Sequence, residues 1–306
     1  MKRSLLVAVL VFMALGCFAE NDRTEKLRMI DSLCAFIRNE YGLHIPNDFY
    51  QKFDTRKDSM FCFLYTSRSE RVEPVDPKHL YYWYFDKEDS ALAKSAEMQA
   101  RGYETLIYKT AGTSAGLLSE KLLSYPSEAI AFVVLHEAVH VEVRSRNYVG
   151  FYNYEEALCD AFANRAAMVF AEQTGLLSKE ALLHQQQVFE NAYRMVNNSR
   201  FFVNDATAEE KPALFKKCEQ SLASLTVNAN QFQKDRLLYP VNHAYFLRME
   251  CYAEHYFEMQ EMLTNDLRLI HCLEVLNIWV QAKQDKETQK GEEINVPQPK
   301  STIWDY

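Results

Sequence analysis

The stretch AFVVLHEAVHVEV, residues 131–143, decides how the middle of this chain is read. Its Phe, Val, Leu and Ala are too dense for a one-faced surface helix and describe one buried nearly all round. Yet it carries His136, Glu137 and His140. A buried imidazole or carboxylate is costly unless something pairs with it. The three residues spell H-E-x-x-H. On a helix this places His136 and His140 one turn apart on one face, where both reach a single metal ion at about 2.0–2.1 Å. Glu137 is rotated by about a third of a turn and addresses a water at that metal without being a ligand.

A catalytic zinc ion takes three protein ligands and keeps one position open. Moving outward, YEEALCDAFANRAA (154–167) offers Glu156 and Asp160, four apart on one helical face. Glu156 would complete a His–His–Glu set. Asp160, one turn on, would accept the free N–H of a ligand histidine and fix its tautomer. Glu155 is the rival ligand; Glu156 is preferred because only it has an acid one turn onward. The alanines at 157, 161, 163, 166 and 167 allow a close approach to the first helix, and the loop over about 145–153 is long enough to reverse direction. Acids on a helix usually form a solvated face; the buried histidines tip these two toward a metal.

Farther out, a helical pattern covers 21–40, Pro46 to Asp48 mark a loop, and 60–65, 79–85 and 103–111 read as strands. A helix is expected over 86–101. Pro126 and Ser127 introduce the motif helix, with Ser127 as N-cap and Glu128 in the first turn. Further helices are expected over 154–174, 178–196, 207–225 and 240–282, and a polar, extended tail after 283. The expected fold class is α+β, predominantly α. It has a small N-terminal sheet up to about residue 120 and a helical half over 121–282, forming a single domain over 20–282.

The chain has 306 residues, 48% of them hydrophobic, with 18 Tyr and 19 Phe. That is enough for one sizeable core. A net charge of −8 and the lack of a Lys/Arg cluster give no reason to bind nucleic acid. Residues 1–19 read as a signal peptide: Lys2 and Arg3, an apolar run from Leu5 to Leu15, then small residues. This predicts export to the periplasm or cell envelope. ALGC would leave Cys17 lipidated and the protein membrane-attached; CFA before Glu20 fits ordinary signal peptidase equally well. Six further cysteines lack any C-x-x-C pair, which disfavours a cysteine metal site and leaves disulfides or scattered buried thiols.

EALCD is similar to the glutamate segment of thermolysin-like gluzincins, in which a third-ligand Glu precedes an orienting Asp by four residues. More closely, IYKTAGTSAGLLSEKLLSYPSEAIAFVVLHEAVHVEV followed by YNYEEALCDAFA resembles the bacterial putative aminopeptidase family, and VNHAYFLRMECYAEHYFEM (241–259) extends the likeness. Ala138-Val139 stands where that family has Leu-Ala, and Glu155 where it has Asn; neither change removes a ligand. The resemblance implies a zincin-like core and one Zn2+ held by His136, His140 and Glu156. It also implies hydrolysis of a peptide or protein substrate with Glu137 as base, with aminopeptidase action suggested by the family's name. Tyr252 is the first candidate for the oxyanion donor, ahead of His243 and Tyr245. Two rivals stand beside this reading. One is a zinc-binding lipoprotein serving as a binding or assembly module. The other is a serine hydrolase using Ser114, since Gly112 to Gly116 satisfies G-x-S-x-G after a strand.

Overall fold

The helical periodicity that starts near residue 21 extends back through the apolar leader. α1 is one helix, Lys2–Tyr41, in a computed structural model that describes residues 2–54, 61–75, 82–148, 152–265 and 269–289. β1 (Lys52–Phe53), β2 (Phe61–Ser67) and β3 (Tyr82–Phe85) follow, then α2 (Glu88–Ala100), β4 (Glu104–Thr110) and β5 (Leu117–Leu118). α3 (Glu120–Leu123) leads into α4 (Ser127–Ser145) and α5 (Tyr152–Thr174). The rest is helical: α6 (Lys179–Asp205), α7 (Lys211–Leu225), α8 (Gln231–Leu237), α9 (His243–Ala253), α10 (Tyr256–Asn265) and α11 (Leu269–Gln289). The chain is thus α+β and mostly α. No helix among the described residues is long and apolar enough to cross a membrane.

The sheet is antiparallel in the order β3-β2-β4, with Leu64 registered against Trp83 on one side and Ile107 on the other. Aromatic and β-branched residues suit such a pleated, covered surface. Tyr65, Tyr82 and Tyr108 share one face, which turns to α9, where the Arg248 guanidinium stacks on Tyr108 at 3.8 Å. α2 packs on the sheet as well. β1 and β5 form a separate two-residue parallel pair too short to show as a pattern in the sequence.

α4 lies between α1 and α5, and α5 packs in turn on α9 and α10. The α5 alanines are all buried, so the helix backbones approach closely where the acids sit. Ser127 is already helical; the cap position is Pro126, and no side chain caps the turn. Glu128 instead accepts from the Ser178 backbone N–H at 2.9 Å. The expected single helix over 240–282 is three. α9 stops at Ala253, whose carbonyl accepts from the Asn197 side chain at 2.7 Å, an acceptor that a continuing helix would need for itself. The tail expected from 283 is helical to Gln289; its Lys, Glu and Gln are polar but good helix formers. The rest of that tail, 290–306, lies outside the described residues. Cys34, Cys62, Cys159, Cys218, Cys251 and Cys272 are all buried, and none of them is in a disulfide.

Candidate metal centre

α4 is buried along most of its length, and His136 is 5% exposed within it. His136 and His140 bring their Nε2 atoms to 3.1 Å from each other. From α5, Glu156 meets them: Oε2 is 3.2 Å from His136 Nε2 and Oε1 is 3.6 Å from His140 Nε2. The structure therefore draws together the three residues expected to ligate.

The other ring nitrogens are held from behind. Asp160 Oδ1 lies 2.8 Å from His136 Nδ1, and Glu155 Oε1 lies 2.7 Å from His140 Nδ1. The His140 contact is a hydrogen bond, whereas His136 Nδ1 lies close to Asp160 without hydrogen-bond alignment; an acid at Nδ1 favours the ring proton there and directs Nε2 toward Glu156. Two Nε2 atoms and a carboxylate then face one another in a buried space. A proton or a cation among them offsets the charge of the carboxylate. Zinc ligands at about 2.0–2.1 Å in a tetrahedron are about 3.3–3.4 Å apart; the two Nε2 atoms are 3.1 Å apart, and each ring meets a different oxygen of Glu156, at 3.2 and 3.6 Å. Two imidazoles with a carboxylate, and a thiol beside them, are donor types that suit zinc.

Electrostatics point the same way. Burial opposes charge on His140, but Cys159, Glu156 and Glu155 outweigh it and hold its pKa well above the ordinary imidazole value. His136 is likewise raised, against burial, by Asp160 and Glu156. Burial also opposes ionisation of Glu156, yet the two imidazoles keep its carboxyl well below the usual range. The pocket favours positive charge.

Asp160 is itself fully buried. Besides His136 it meets Arg236 Nη2, which is 2.7 Å from each of its oxygens, and it accepts from the Tyr193 hydroxyl. Burial would raise its pKa, but Arg236, His136 and Tyr193 lower it. Arg236, on α8, stacks over Phe132, Phe189 and Tyr252 at 5.2, 5.3 and 4.5 Å. Nothing in the sequence singles out Arg236 or Tyr193, which reach the site only through tertiary packing. Cys159 carried no signal either. Its thiol and the two histidines lie within 4.8 Å of one another. Burial pushes that thiol up to about 12 without a metal, whereas Glu156 is ionised; both stand beside the two histidines as third donors.

Glu137 is half-buried on the same helix. Nearby, burial and then the Glu137 charge raise the Tyr50 phenol well above its usual pKa, and that phenol donates to the Thr113 carbonyl at 3.2 Å. The 112–116 loop therefore crosses α4 beside Glu137. A Cβ on Gly112 would come within 2.3 Å of Val133 Cγ1, and Gly116 (φ +66) packs on Phe49 equally closely. No helix springs from Ser114: the chain enters β5, and the next helix begins at Glu120. A nucleophile elbow needs a strand-to-helix turn, so the serine-hydrolase geometry is missing.

The Tyr252 ring centroid is 6.5 Å from that of His136, on the side of Arg236. Tyr245 instead donates to the Leu237 carbonyl at 3.0 Å, and His243 Nδ1 lies 3.0 Å from Glu104 Oε2. Of the three oxyanion candidates, Tyr252 is the one whose ring lies beside His136 among the described residues. Compared with family models, with curated proteins and with solved structures, the chain matches none.

Proposed function

We propose that this protein is an exported zinc metallopeptidase with a zincin-like core, related to the bacterial putative aminopeptidase family its motifs resemble. The observation that carries the reading is the convergence of His136 Nε2, His140 Nε2 and the Glu156 carboxylate, with an acid behind each imidazole. When bound, zinc supplies the Lewis acidity that polarises a scissile carbonyl and acidifies a water.

The chain's own residues do the rest. Asp160 and Glu155 hold the two imidazoles in the tautomer that directs Nε2 inward. Glu137, one position along the helix from His136, takes the proton of the attacking water and delivers it to the leaving amine. Tyr252 offers its hydroxyl to the oxyanion that develops. The intact Glu137 favours catalysis over the alternative of a zinc-binding assembly module, which has no use for a base at that position. Lys2, Arg3 and the apolar run after them support export, with lipidation at Cys17 as one route to the membrane.

The test is metal analysis of protein purified without chelator, alongside the Glu137→Gln variant on a mixed peptide library. Zinc should be retained by both proteins, and turnover should fall in the variant by about 10²–10⁴-fold. Zinc without turnover in the parent would favour the binding module; absence of zinc from both would overturn the reading.

A further inference from the structure

Arg248 is fully buried in the middle of α9. Its Nη1 donates to the Arg236 carbonyl at 2.9 Å and contacts Met249 Sδ. Its Nε and Nη2 are buried and have no acceptor among the described residues. These two atoms form one side of the guanidinium, the edge that grips a carboxylate through two parallel N–H donors. No described carboxylate pairs with it. Its surroundings are rings: Tyr108 at 3.8 Å, Tyr252 at 5.5 Å and Tyr239 at 5.6 Å from the guanidinium carbon. Stacking on aromatic faces offsets part of the cost of burying the cation, but it leaves the two in-plane donors unused. Buried donors in a folded protein are otherwise almost always satisfied.

Arg248 also stands beside the candidate metal centre. Tyr252 is one turn farther along α9 and lies between the two, 6.5 Å from the His136 ring. The two distances that meet at Tyr252 bound the separation of Arg248 and His136 to no more than about 12 Å, which fewer than four extended residues span at about 3.3–3.6 Å each.

We infer that the free side-on edge of Arg248 is a carboxylate-binding site, taking the terminal α-carboxylate of a short peptide whose scissile bond lies within about three residues of its C-terminus. This deepens the peptidase reading and rests on it for the bond that is cut, though not for the recognition of the anion. Tyr108, Tyr239 and Tyr252 surround the guanidinium, and of the three Tyr239 is the half-buried one.

The experiment uses the full chain carrying Glu137→Gln, so that peptide is not consumed, with trialanine and trialanine amide as probes in calorimetric titrations. The free acid should bind at least about tenfold more tightly than the amide, as expected for a bidentate charge-assisted pair. Adding Arg248→Met should collapse that ratio to about one, and Arg248→Lys, which keeps charge but not the fork, should leave it intermediate. Equal binding of acid and amide by the protein that keeps Arg248 overturns the proposal, and needs no Arg248 variant to fold. A ratio that survives Arg248→Met also overturns it. If the parent binds no zinc and cuts no peptide while the acid preference persists, the peptidase reading falls and the carboxylate site stands.

Discussion

Asp160 meets an imidazole, a phenol and a guanidinium with one carboxylate, and it is fully buried while doing so. Each contact needs its negative charge. Replacing it by Asn leaves Arg236 buried without its counter-charge, so Asp160→Asn should lose about 3–5 kcal/mol of stability in denaturant unfolding. The same change lets His136 turn, and zinc affinity measured by chelator competition should drop by about 10–100-fold. At this scale the sequence was informative wherever partners share a helix. The spacing of His136 and His140, and of Glu156 and Asp160, follows from 3.6 residues per turn. Glu155 could be recognised as an acid near the site, but whether it ligates or stands behind His140 depends on the angle between two helices. Arg236 is 76 residues from Asp160, and no local periodicity links them.

At the scale of elements, the position of the 112–116 loop depends on a missing side chain. Gly112 lies against Val133, one turn before Glu137, with no room for a methyl group. Gly112→Ala should force the loop off α4 and cost about 1–3 kcal/mol, read as a lower thermal midpoint. If the midpoint does not move, the loop is not packed as described. α4 and α5 were legible because burial, spacing and alanine content agree along their length. The divisions among α9, α10 and α11 were not, because a side chain from α6 takes up the Ala253 carbonyl. The length of α1 was hidden for another reason. An apolar leader reads as a targeting segment whatever its backbone conformation, and its helix is continuous with the domain's first.

Across the whole molecule, the sheet, α9 and the α4–α5 pair form successive layers, and the candidate centre lies where the last two meet. Metal binding to this folded arrangement and not to the unfolded chain stabilises by mass action, by about 4 kcal/mol at a free concentration a thousand times Kd. Removing it with a chelator should lower Tm by roughly 5–10 °C for a domain of this size, and zinc alone should restore it. An unchanged Tm would mean that the site is not loaded. The six described cysteines are buried and form no disulfide, so reductant should leave this comparison unaffected.

Glu155, Glu156, Cys159 and Asp160 all project from little more than one turn of α5. A hinge or slide of that helix moves all four in concert, as teeth on one key. A cation held between α4 and α5 would therefore lose all of these contacts at once, not one by one.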